Sequence, residues 1–132
     1  MIFIDANVFL AYDNVDDSHH VRAAQILQEI ESGAYGQQFT SDYVFNEVVG
    51  VALRKLGKER AVILGEQILK STFILNIDNQ VLSASWRMFA RTAYKLSLVD
   101  CTNVMVAKIA RAEFIATFDK EFQKVEGIKI IC

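Results

Sequence analysis

Proline is missing altogether from this 132-residue chain, so every helix end has to come from capping side chains and glycine. Cysteine is scarce: Cys101 and Cys132 form neither a metal-binding spacing nor a disulfide framework, and read as reduced thiols of a cytoplasmic protein. No apolar run approaches the roughly 18 residues of a membrane helix, so no membrane partner is expected. The opening residues carry no basic segment, and Asp5 interrupts their apolar stretch, which argues against a signal peptide. Repeats, low-complexity segments and Pro/Gly/Ser linkers are absent, leaving one domain over residues 1–132, large enough to bury a real core. A basic excess is lacking too. The balance of 14 − 16 = −2 runs against nucleic-acid binding judged globally.

What is present is globular: 52% hydrophobic and 23% charged residues, well away from the disordered regime. Five stretches rich in β-branched and aromatic residues read as strands, at residues 1–5, 37–41, 72–77, 114–118 and 127–131. Helical periodicity fills residues 18–32, 42–56, 59–70, 79–95 and 98–112, with Gly33 and Gly57 as stop signals and Asp78 as an N-cap. Strands alternating with helices imply right-handed crossovers, a parallel sheet and helices on both faces. Ligands of such sheets bind beyond the carboxyl ends of the strands, where the strand order reverses.

Asp5, Glu47, Asp100 and Asp119 stand where apolar runs give way to a helix start or an early helical turn. Asp5 closes Met1-Ile2-Phe3-Ile4, and Asp119 closes Phe114-Ile115-Ala116-Thr117-Phe118. Either acid can simply cap the helix that follows. Asp100 fits a capping box with Ser97. Glu47 is different. It lies beside the apolar stripe of its helix with no lysine or arginine at i±3 or i±4, which favours a metal or a distant ion pair as its partner.

Setting these four acids aside leaves 14 − 12 = +2. Basic residues gather at Arg54, Lys55, Lys58 and Arg60, and Arg87, Arg91 and Lys95 repeat along one helical face. That face is either a solvated surface or a phosphate-contacting rim around an acidic centre.

Acids meeting at one sheet edge repel each other by about 4 kcal/mol per pair at about 4 Å and an effective dielectric near 20. A divalent cation relieves that repulsion, and an oxygen-only ligand set suits Mg²⁺ or Mn²⁺. Such a site activates water for in-line attack on a phosphodiester. His19 and His20 are adjacent, project in different directions, and read as surface residues at a helix start.

The chain resembles PIN-domain ribonucleases of the VapC toxin type. The resemblance rests on Ile4-Asp5-Ala6-Asn7, Asn46-Glu47, Leu98-Val99-Asp100 and Thr117-Phe118-Asp119-Lys120-Glu121-Phe122, in that order over essentially the whole length. It implies a three-layer α/β/α fold with a five-stranded parallel sheet in the order 3-2-1-4-5. It also implies a Mg²⁺- or Mn²⁺-dependent endoribonuclease with Asp5, Glu47, Asp100 and Asp119 as the acidic quartet and metal ligands. Asn7 and Thr117 would support an acid or a metal water. The resemblance further implies a homodimer and a small antitoxin whose tail crosses the active-site groove. After Asp100 the family usually places small or apolar residues, whereas Cys101, Thr102 and Asn103 follow here.

Two other readings compete. Haloacid-dehalogenase-type phosphohydrolases also begin with strand-Asp-x-Asp, but an amide, Asn7, occupies the acid/base position here. A non-catalytic PIN domain binding RNA or protein would not require all four acids, which are present.

Overall fold

Short runs of apolar residues form the strands of the computed structural model, which describes every residue from Met1 to Cys132. The strands are β1 (Ile2–Ile4), β2 (Gln38–Ser41), β3 (Phe73–Leu75), β4 (Phe114–Ala116) and β5 (Lys129–Ile131). All five expected strands are there, each shorter than its sequence pattern. Three of them, β1, β3 and β4, shorten at their carboxyl ends. Asp5 and Thr117 still donate their amides to the Ala116 and Ile131 carbonyls of the neighbouring strands (3.0 Å each). Ile2, Phe3 and Ile4 are completely buried, as a central strand covered on both faces requires.

Six helices connect the strands: α1 (Ala6–Asp13), α2 (His20–Glu31), α3 (Asp42–Leu56), α4 (Lys58–Ser71), α5 (Asn79–Arg91) and α6 (Leu98–Ile109). With no proline, small polar side chains cap four of the six starts, those of α1, α3, α5 and α6. Ser41 Oγ accepts from the Val44 amide (3.2 Å) and Asp78 Oδ1 from the Val81 amide (2.9 Å). Gly57, at φ +89°, ends α3 in a conformation that side chains with a Cβ avoid. The expected helix over 79–95 is shorter than its pattern: α5 stops at Arg91, Thr92 is extended, and Lys95 lies beyond the helix. The shared helical face expected for Arg87, Arg91 and Lys95 therefore reduces to two residues.

All strand pairs are parallel, in the order β3-β2-β1-β4-β5. The chain builds outward from β1 through β2 to β3, then returns to lay β4 on the other side of β1. Right-handed crossovers put α1–α4 on one face and α5–α6 on the other, giving three layers. The contacts agree: α3 packs on α1 and α4, while α5 packs on α6. Phe3 and Phe39 meet edge to face at 5.5 Å within the core. No helix is long and apolar enough to cross a membrane. The order reverses between β1 and β4, which places the carboxyl ends of those strands at the switch point.

Candidate active site

Asp5 follows β1 at that switch point and is buried. Its Oδ1 accepts from the Ala6 amide (2.8 Å) and from Asn103 Nδ2 (3.2 Å). Its Oδ2 accepts from Thr117 Oγ1 (2.7 Å) and Asn7 Nδ2 (2.9 Å). Four donors fill the roughly four lone-pair positions of a carboxylate. Burial nevertheless pushes its pKa up to about 6, against the lowering by Thr117 and Ala6 and with further upward pressure from Asp100 and Glu47. Neither supporting residue is an idle neighbour. Asn7 Nδ2 also bonds Thr117 Oγ1 (3.0 Å), and Asn7 Oδ1 accepts from the Phe118 amide (3.1 Å), which ties β1 to β4.

The other three acids keep oxygens free of protein donors. Asp100 caps α6: its Oδ2 accepts from the Ser97 amide (2.7 Å) while Ser97 Oγ accepts from the Asp100 amide (3.1 Å). This is the expected capping box, and it leaves Oδ1 unspent. Asp119 caps a 3₁₀ turn at Lys120–Lys124 by accepting from the Glu121 amide at Oδ1 (2.9 Å). Glu47 makes no hydrogen bond, but it is exposed to the cleft rather than buried beside the apolar stripe, so its lack of a cation costs less than the sequence suggested. Desolvation by the cleft wall, then Asp100, still holds its carboxyl above the ordinary range.

All four acids line one cleft of about 460 Å³, together with Asn7, Tyr43, Asn46 and Ser97. Thr117 does not line it but reaches it through Asp5, Asn7 and the Asp119 amide, which donates to Thr117 Oγ1 (3.1 Å). Arg87, Arg91 and Lys95 do not line it; Arg87 lies beside Trp86 on the outer surface of α5. His19 is exposed, as expected. His20 is not a plain surface residue: it is half-buried, with Nδ1 3.0 Å from the Ala11 carbonyl.

Asn103, one turn on from Asp100 and part of the departure from the family pattern, enters the site as a partner of Asp5. It is 1% exposed, holds Asp5, and its Oδ1 is the one buried side-chain polar atom lacking a hydrogen-bond partner. The departure from small residues after Asp100 was its only signal. No three acidic, histidine or cysteine side chains close around a single point. The residues nonetheless fit a hard divalent cation in kind: an oxygen-only donor set with unspent carboxylate oxygens facing one cleft, and the orphaned Asn103 carbonyl behind it.

These features define an α/β protein with an acidic cleft at the switch point of its sheet. The chain belongs to the PIN-domain family, whose model matches residues 2–128. Its fold is shared by VapC20 of Mycobacterium tuberculosis, a sarcin–ricin-loop-cleaving toxin, at 21% identity over 100% of both chains with a TM-score of 0.85. A toxin–antitoxin complex from Klebsiella pneumoniae is similar at 23% identity, covering 97% of this chain and 95% of that one, with a TM-score of 0.73. DNA-bound VapBC from Salmonella typhimurium gives 19% identity, 98% and 95% coverage, and a TM-score of 0.74. Among curated proteins there is no significant match.

Proposed function

We propose that the whole chain is one divalent-metal-dependent endoribonuclease domain, the toxin of a toxin–antitoxin pair. The observation that carries this reading is the convergence of Asp5, Glu47, Asp100 and Asp119 on one cleft from four separate elements. Those four residues would hold Mg²⁺ or Mn²⁺, which when bound supplies charge stabilisation and an activated water for phosphodiester hydrolysis. Asp5 is the anchor, oriented by Asn7, Thr117 and Asn103. With all its lone pairs engaged, it has room for a cation only if one donor yields, and Asn103 makes the longest of the four contacts. Ser97 fixes the rotamer of Asp100, and the 3₁₀ turn fixes that of Asp119, so unspent oxygens are presented without reorganisation.

The likeness to toxin–antitoxin complexes supports a small antitoxin as partner. Exposed Leu53, Val62 and Leu69 border a hollow between α3 and α4 that suits an apolar partner segment. A homodimer and a cytoplasmic setting complete the reading; the two free cysteines suit the latter. The phosphohydrolase alternative needs an acid–base group two residues after Asp5, where Asn7 serves as a hydrogen-bond bridge.

Asp100→Asn and Glu47→Gln should each abolish cleavage of single-stranded RNA in Mg²⁺ or Mn²⁺ while circular dichroism stays unchanged. Cleavage retained by both variants, or absent from the parent protein, removes the proposal.

A further inference from the structure

A second hollow, of about 170 Å³, adjoins the cleft at Asp119, a residue that lines both spaces. Its walls include His19, Arg22, Phe118, Lys120 and Gln123. The His19 ring lies on Phe118 with centroids 4.4 Å apart and planes 27° from parallel. Both members are fixed by backbone bonds. The His19 amide donates to Asp17 Oδ1 (2.8 Å), and the Phe118 amide donates to Asn7 Oδ1 (3.1 Å), which joins the stack to the residue bridging Asp5 and Thr117.

The cations here differ in what they have left to offer. Arg22 is committed through Nε to the Cys132 backbone oxygen (2.9 Å) and through Nη1 to Glu29 (3.0 Å). Lys120 is exposed and takes part in no ion pair. A preformed aromatic stack whose His19 member is exposed, next to one unpaired cation and a shared wall with the acidic cleft, matches a base joined to a phosphate. The face of the ring is used by a planar base and not by a bare phosphate or a carboxylate, which would engage only the ring nitrogens.

We propose that this hollow is the subsite for a nucleotide adjoining the bond that is cut, with its base stacked on the outer face of His19 and its phosphate against Lys120. The assignment rests on the ribonuclease reading and adds where the strand runs as it passes Asp119. Stacking on an aromatic face accepts any base, so the subsite grips without reading sequence.

The test is fluorescence anisotropy of a labelled random-sequence single-stranded RNA pool with the full chain in chelator. His19→Ala should weaken binding about tenfold, the loss of one stacked base, and His19→Phe should restore most of it. Lys120→Ala should reduce the slope of log affinity against log salt by about 0.7, one phosphate contact on a single strand. Both positions are exposed, so thermal melts should be unchanged. Parent-like binding and salt slope in all three variants would overturn the subsite while leaving the nuclease reading standing, provided the parent protein cleaves RNA. A parent protein that neither binds nor cleaves the pool with Mg²⁺ or Mn²⁺ would overturn both.

Discussion

Asp5 is held by four hydrogen bonds and still resists ionisation, because burial outweighs the donors. The sign of the resulting pH dependence is fixed. Its folded pKa of about 6 exceeds the ordinary 3.8, so the folded chain keeps a proton that the unfolded chain has released. Stability of the metal-free protein therefore rises as pH falls from neutral through about 6 toward 4, and the cost at neutral pH is on the order of 3 kcal/mol. The shift at Glu47 has the same sign. Glu29 and Glu121, lowered by Tyr35 and Lys124 respectively, oppose it only where they protonate, at the acid end. Thermal melts in chelator should give a higher Tm near pH 5 than near pH 7; a flat profile, or one rising with pH, contradicts the assignment. At this scale the acids were legible because each interrupts an apolar pattern. Asn103 was not, since nothing local indicates that its amide reaches a carboxylate 98 positions away.

Helix starts explain how a flexible carboxylate becomes a fixed one. The Ser97–Asp100 box both begins α6 and aims Asp100 into the cleft, so its capping role and its site role are one arrangement. Ser97→Ala should cost about 1 kcal/mol of stability and also weaken RNA cleavage, by freeing the Asp100 side chain. Loss of stability with full activity would separate the cap from the site. Caps were readable in the sequence because Ser and Asp preceded clear apolar periodicity at Ser97 and Asp78. The end of α5 was not: Thr92-Ala93-Tyr94-Lys95 carries no glycine or proline to mark a stop, and the basic spacing ran on past the true end. Arg87, Arg91 and Lys95 remain an outer RNA rim as a proposal. Changing all three to alanine should flatten the salt dependence of RNA binding by up to about two units of slope, and an unchanged slope would return them to ordinary solvated surface.

For the molecule as a whole, what matters is how the sheet orders its strands. Alternation of strands and helices made a parallel sheet legible, and the apolar run closed by Asp5 marked β1 as a strand. Strand order was not contained in any local pattern; it came with the family resemblance, and the return of the chain from β3 to β4 is what brings Asp5 and Asp119 to one crevice. Glu47 and Asp100 then arrive from helices on opposite faces of that sheet. The proposed nuclease site is a single cation site formed by these four carboxylates. Its most direct test is a Mn²⁺ titration followed by thermal melting, with parent protein and Asp5→Asn side by side at neutral pH. A rise in Tm for the parent that is mostly lost in the variant is the predicted result; equal rises in the two, or no rise in either, would contradict it.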